Sequence, residues 1–256
     1  MSSHPIIFVG AGPGDPELIT VKGQKALARA DLILYAGSLV SPAMLEYAGA
    51  DAEKVDTAAL NLEEIVSRMA SAQRAGKRVV RLHSGDPALF GAIQEQFTEL
   101  DNAEVPYQVI PGVTAAFAAA AALARELTLP EVTQTVILTR APGRTPVPEA
   151  ESLVKLAKHG ATMAIYLSVH LVEEVASVLA KAYGPQTPAV VAYRVSWPDQ
   201  QILRGTLATI ADEVRRAGIK RQALILVGPT LAGEGPGTRS KLYDPDFTHG
   251  FRGSEE

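Results

Sequence analysis

Ile6-Ile7-Phe8-Val9-Gly10-Ala11-Gly12-Pro13-Gly14-Asp15-Pro16 is the stretch that decides the fold class. Four strand formers that stop at a glycine cluster describe a sheet strand ending at a bend, where the backbone must come close to something. A dinucleotide is the first occupant to weigh, because glycines between a strand and a helix bring a pyrophosphate to a helix N-terminus in Rossmann units. The spacing does not meet that requirement. With Gly10 and Gly12 in the first two places, the third glycine belongs at position 15, which is Asp15, and Pro13 stiffens the turn and removes an N–H donor. No Gly-Lys-Ser/Thr follows, so nothing here would hold a β- or γ-phosphate. Asp15-Pro16 stays open to two readings, a carboxylate facing a ligand or plain turn chemistry.

Working outward, the same punctuation returns. Thr20 is placed to cap a helix over 21–30, and 32–35 reads as a second strand ending at Ala36-Gly37-Ser38. Asn61 and Glu64 resemble a capping box ahead of Leu62, Ile65, Val66 and Met69 at helical spacing. A third strand over 79–82 runs into Ser84-Gly85-Asp86-Pro87. A weaker one over 107–110 meets Pro111-Gly112-Val113-Thr114 before an alanine-rich helix over 115–124. In a parallel sheet the carboxyl ends of all strands lie on one edge, and ligands bind outside that edge. The turns at 10–16, 84–87 and 111–114 are therefore expected side by side, lining a small-molecule site.

Near 128–131 the pattern restarts. Strands are expected over 135–138, 162–167, 189–195, 201–203 and 223–227, with helices over 149–158, 171–183 and after Thr206. Only Ser196-Trp197-Pro198-Asp199 separates two of these strands, which suggests a hairpin and a mixed second sheet. The expectation is an α/β chain of two α/β domains, 1–115 with a mainly parallel sheet and 116–232 with a mixed one, followed by an extended tail over 233–256.

Composition narrows the function. At 256 residues, 47% hydrophobic and 20% charged, the chain has ordinary globular usage. The net charge of −4 speaks against wholesale nucleic-acid binding. Cysteine is absent, which removes disulfides, thiolate metal sites and cysteine nucleophiles and suits a cytoplasmic protein. No apolar run approaches a membrane span, and residues 1–4 do not read as a signal peptide.

Read together, VGAGPGDPELIT at 9–20, RLHSGDPALFG at 81–91, IPGVTA at 110–115 and ALILVG at 223–228 resemble the tetrapyrrole methylases, the S-adenosylmethionine-dependent methyltransferases of the cobalamin and sirohaem pathways. Within that family ILYAGSLV at 33–40, YRVSWPDQQILRGTL at 193–207, RQALILVG at 221–228 and KLYDPDFTHGFR at 241–252 are similar to the C-11 methyltransferases of precorrin-4 or cobalt-precorrin-4. The resemblance implies two α/β domains, S-adenosylmethionine held in the cleft between them, a tetrapyrrole acceptor and a homodimer. Carried over position by position, it implies cofactor contact at Pro13, Ser84, Gly85, Asp86, Leu89, Thr114, Ala115 and Leu167, and at Tyr193 and Arg194 in a region where family sequences differ. Relatives that methylate uroporphyrinogen III carry an Asp after the second-strand Tyr. This chain has Ala36 there, so no acid/base role carries over and no catalytic residue is assigned.

Each residue also has a plainer reading. Asp86 before Pro87 suits a helix cap, and Leu89 and Leu167 suit ordinary core. His83 and His170 read as satisfied polar residues, since no partner stands at metal-ligand spacing. Arg140, Arg144, Arg194, Arg204, Arg239 and Lys241 are either surface charge or, given a substrate rich in carboxylates, guanidinium and ammonium partners for it. Two rivals come from other classes. A nicotinamide oxidoreductase would need the glycine spacing that is missing, and a non-catalytic S-adenosylmethionine-binding module would bind the cofactor without turning it over.

Overall fold

The computed structural model describes residues 4–232, 240, 241, 247 and 248, with the backbone alone at Ser38. Nearly all of the tail expected over 233–256, including Arg239, lies outside the described residues. The chain forms two compact units. Unit 1 comprises Met1–Ala122 with Arg194–Gln201, and unit 2 comprises Leu123–Tyr193 with Ile202–Glu256.

Unit 1 is built on β1 (Ile6–Gly10), β2 (Leu32–Tyr35), β3 (Glu53–Asp56), β4 (Val79–His83) and β5 (Tyr107–Ile110), in the order β3-β2-β4-β1-β5. All pairings are parallel, with Val9 beside Leu82 on one side and Ile110 on the other. Four helices accompany the sheet: α1 (Val21–Arg29), α2 (Leu62–Arg74), α3 (Gln94–Asn102) and α4 (Ala115–Leu123). A parallel sheet covered on both faces needs near-continuous apolar strands, and β1 shows how they are used. Ile6 and Phe8 pack with Ile65 and Met69 of α2 and Leu100 of α3, while Val9 faces the other way, into Leu27 of α1, Met44 and Leu82. The Thr20 hydroxyl accepts from Gly23 N at 3.1 Å, and Asn61 and Glu64 form the complete capping box. β3 and α3 escape a sequence reading. β3 is the edge strand Glu-Lys-Val-Asp, whose register with β2 is backbone pairing rather than apolar pattern. α3 is mostly polar, buries only Gln96 and Leu100, and has no side-chain cap.

Unit 2 carries β6 (Val136–Arg140), β7 (Thr162–Tyr166), β8 (Pro188–Tyr193), β9 (Gln201–Thr206) and β10 (Ala223–Val227), in the order β6-β7-β10-β8-β9. β6 runs parallel to β7, whereas β10 is antiparallel to both β7 and β8, so the sheet is mixed as expected. The helices are α5 (Leu153–Leu156), α6 (Val172–Tyr183) and α7 (Ile210–Ala217). Leu153, Val175, Leu179, Ile210 and Val214 close over Met163, Ile165, Val191, Ile225 and Val227. The continuous helix expected over 149–158 is corrected. Ser152 takes an extended conformation (ψ 144°) and breaks it into a 3-10 turn, the single α turn of α5 and a second 3-10 turn stopped at Gly160.

Candidate functional site

At the carboxyl edge of the unit 1 sheet the three glycine turns interlock. Ala11 N donates to His83 O at 2.7 Å, and Gly12 and Gly85 exchange a pair of backbone hydrogen bonds at 3.1 and 2.7 Å. The third turn is fastened by Asp86, whose Oδ2 accepts from Gly112 N at 2.8 Å while Oδ1 accepts from Ala88 N at 2.8 Å. The approach is so close that a Cβ on Gly10 would lie 2.6 Å from Gly112 backbone atoms and 2.7 Å from Gly85 O. Glycine here is a packing requirement. Pro13, Ser84, Gly85, Asp86, Thr114 and Ala115 are thus brought onto one backbone-rich edge, with Leu89 following in the turn whose N–H meets Asp86 O. Thr114 is buried, and its carbonyl accepts from Phe117 and Ala118 N at the start of α4.

The first turn is held from outside as well. Asp15 Oδ1 accepts from Glu17 N at 2.9 Å and caps a 3-10 turn over Pro16–Leu18, which is the turn-chemistry reading of that residue. Trp197 Nε1 donates to Pro13 O at 2.8 Å and Ser196 Oγ accepts from Asp15 N at 2.9 Å. Arg194 lies over the Trp197 ring at 4.1 Å, with its Nε 3.0 Å from Asp199 Oδ1 but outside hydrogen-bond geometry. Arg194 is therefore spent within its own loop.

Two buried polar residues of β4 lie beneath this edge. Arg81 hydrogen-bonds the neutral groups Gln96 Oε1 (3.2 Å) and Thr57 Oγ1 (3.1 Å), and burial lowers its pKa to about 10, leaving it charged at neutral pH. His83 stacks on Phe8 with ring centroids 5.9 Å apart. Burial first and the Arg81 charge second push its pKa down to about 3, so the imidazole is neutral at pH 7. The expectation of a satisfied histidine is corrected: Nε2 is buried without a hydrogen-bond partner among the described residues. A strand of Val-Val-Arg-Leu-His gives no sign of this, because the unmet nitrogen depends on what the neighbouring strands present.

On unit 2 the remaining residues stand differently. Leu167, just past β7, is 64% exposed with φ 55°, a left-handed conformation that costs a branched residue about 1 kcal/mol or more. It is not core. Leu167 lines a cavity of about 390 Å³ with Arg140, Ala141, Gly143, Arg144, Thr145 and His170. Ser168, fully buried, ties the wall together by accepting from Ala141 N at 2.8 Å and donating to Tyr166 O at 2.6 Å. Arg140 is occupied by the carbonyls of Ala141, Thr145 and Pro146. Arg144 and His170 make no such bonds among the described residues. Tyr193 ends β8 and packs against the unit 2 core.

A parallel sheet with interlocked glycine turns is thus followed by a mixed α/β unit. Residues 5–211 match the model of the tetrapyrrole (corrin/porphyrin) methylases, and the chain belongs to that family. Among curated relatives, the precorrin-4 C(11)-methyltransferase of Pseudomonas aeruginosa is 51% identical over 98% of this chain and 99% of its own length. Among solved structures, a cobalt-precorrin-4 methyltransferase of cobalamin biosynthesis is 50% identical, with a TM-score of 0.87 over 89% of this chain and 96% of that one. The uroporphyrin-III C-methyltransferase of Thermus thermophilus, solved with S-adenosylhomocysteine, is 27% identical, with a TM-score of 0.73 over 89% and 93%.

Proposed function

We propose that the chain is an S-adenosylmethionine-dependent methyltransferase that methylates C-11 of precorrin-4 in cobalamin biosynthesis. The observation that carries this is 51% identity along 98% of the chain to a relative of that activity, against 27% to the uroporphyrin-III enzyme. The cobalt-loaded acceptor is the second reading, because the cobalt-precorrin-4 C(11)-methyltransferase of Methanocaldococcus jannaschii is 52% identical over 100% of this chain, and identities of 51% and 52% do not choose between the two acceptors.

The residues fit the donor. Close-packed Gly10 and Gly112, both against Gly85 O, leave an edge rich in bare backbone that a ligand can meet, and exposed Leu167 offers an apolar surface of the kind a methylene chain or adenine covers. Proposed donor contacts are Pro13, Ser84, Gly85, Leu89, Thr114 and Ala115 on unit 1, Leu167 and Tyr193 on unit 2, and Arg194 through its loop. Asp86, with both oxygens already accepting from backbone, contributes by fixing the second and third turns. S-adenosylmethionine supplies a methyl group on a sulfonium that leaves as a thioether. The work left to the protein is alignment for an in-line displacement, and such alignment supplies much of the barrier reduction in reactions of this type. An electron-rich ring carbon as acceptor needs no protein nucleophile, and we assign none.

Arg144 and His170, exposed beside the unit 2 cavity and without side-chain hydrogen bonds among the described residues, suit the carboxylates of a tetrapyrrole better than Arg140, which holds its own loop. We place the enzyme in the cytoplasm, which the lack of cysteine supports, and no helix among the described residues is long and apolar enough to cross a membrane. We infer a homodimer, for which the family resemblance and the exposed Val109 and Phe117 speak. The direct test is incubation with S-adenosylmethionine and either metal-free or cobalt-loaded precorrin-4, followed by mass spectrometry and carbon NMR. One added methyl at C-11 with S-adenosylhomocysteine released is expected. A methyl elsewhere, or none with either acceptor, removes the proposal.

A further inference from the structure

The segment Ser196-Trp197-Pro198-Asp199 carries no role in the function above, yet it is the part of the chain that braces the opening glycine turn. We propose that the Arg194–Gln201 loop is a positioning device for the methyl donor: Ser196 and Trp197 hold the Pro13–Asp15 backbone in the shape that receives S-adenosylmethionine. The inference rests on the donor reading of Pro13 given above.

Several observations support it independently. The turn supplies little stiffness of its own on either side of Pro13, since Gly12 is left-handed (φ 76°) and Gly14 has no side chain. The two backbone polar groups that flank Gly14, Pro13 O and Asp15 N, are both engaged by the loop. A Cβ on Gly14 would overlap the Trp197 indole, so this glycine is the seat of the ring. The loop is itself rigid. Trp197 N donates to Arg194 O at 2.9 Å, Gln200 N to Trp197 O at 3.0 Å and Ser196 N to Gln200 Oε1 at 2.7 Å. The Arg194 guanidinium lies over the indole at 4.1 Å from its centroid. Arg194 (φ 42°) and Ser196 (φ 67°) are both left-handed, a conformation that persists only where its surroundings over-determine it. Strain concentrated in a loop whose contacts converge on one turn is what a positioning element requires. A pre-shaped turn lowers the ordering cost of binding and so raises affinity without touching the reacting atoms.

Trp197 and Ser196 are positioning residues on this reading, and the test separates that from general support of the fold. Trp197→Phe keeps the ring and loses the N–H, Ser196→Ala loses the acceptor, and Gly14→Ala unseats the indole. Calorimetric titration of the full-length chain with S-adenosylhomocysteine should show Kd rising about five- to ten-fold in each. KM for S-adenosylmethionine should rise in parallel, with kcat at saturating donor kept within about two-fold. The Trp197→Phe/Gly14→Ala double variant should be no weaker than the worse single one, because both act through one seat. If the wild-type chain binds and the variants bind equally well, whatever their melting temperatures, the loop has no such role and the donor reading stands. If the wild-type chain itself does not bind, the donor reading falls and this inference with it.

Discussion

The two units present their candidate residues in opposite ways. The unit 1 edge is made largely of backbone: three turns lock through Gly10, Gly12, Gly85 and Gly112, and the Asp86 side chain between the second and third is taken up by two amides. The unit 2 cavity is lined in part by side chains that stand clear of the fold, exposed Leu167 and Arg144. A backbone site cannot be altered without altering the fold, whereas a side-chain site is separable from it. The contrast is sharpest in matched alanine substitutions. Gly10→Ala puts a methyl group 2.6 Å from backbone that cannot retreat, and should cost about 3 kcal/mol or more in urea denaturation. Gly143→Ala in the cavity wall meets nothing within 4 Å and should change stability by less than about 0.5 kcal/mol. Equal costs at the two positions would break the distinction.

His83 tests the buried side of the unit 1 edge. Its folded pKa, about 3, lies below the ordinary 6.5, so between those values the unfolded chain binds a proton that the native chain does not. The sign follows. No penalty is present above pH 6.5, and stability falls by up to about 1.4 kcal/mol per pH unit as pH drops toward 3. Unfolding free energies measured for wild type and His83→Phe should diverge by about 2 kcal/mol in total between pH 7 and 5, the variant's profile being the flatter. Parallel profiles would mean that the imidazole is not held neutral by burial.

The same contrast governs what could be read in advance. The three turns announced themselves because Gly, Pro and Asp have strong local preferences, and a parallel sheet dictates that strand ends share an edge. Capping at Thr20 and Asn61, and the apolar strands β1, β2, β4 and β10, were equally legible for local reasons. β3 and α3 were not, since Glu53–Asp56 is a strand only because β2 offers it an edge, and α3 buries little. The unit 2 cavity was half visible: Arg140 and Arg144 stood in the sequence as either surface charge or substrate partners, and only the fold shows that Arg140 is spent on its own loop while Arg144 makes no side-chain hydrogen bond among the described residues. Nor does any local signal reveal that Ser196 and Trp197 leave the second sheet's strands to brace Pro13 and Asp15, contacts across more than 180 positions of sequence. The contiguous boundaries expected at 115 and 116 have no way of expressing that exchange.

The smallest effect bears most directly on separability. Leu167 holds a left-handed backbone while exposing its side chain, so its conformation costs energy that its burial does not return. Leu167→Gly should remove that strain and leave stability unchanged or higher by up to about 1 kcal/mol, because glycine enters this region freely. If the exposed isobutyl group serves the donor, the same variant should bind S-adenosylhomocysteine about three- to ten-fold more weakly. A residue that weakens binding while its loss stabilises the fold would show that unit 2 maintains strain for function. Weaker binding with a parallel loss of stability would instead make Leu167 part of the framework, and the contrast with the unit 1 edge would narrow to the glycines alone.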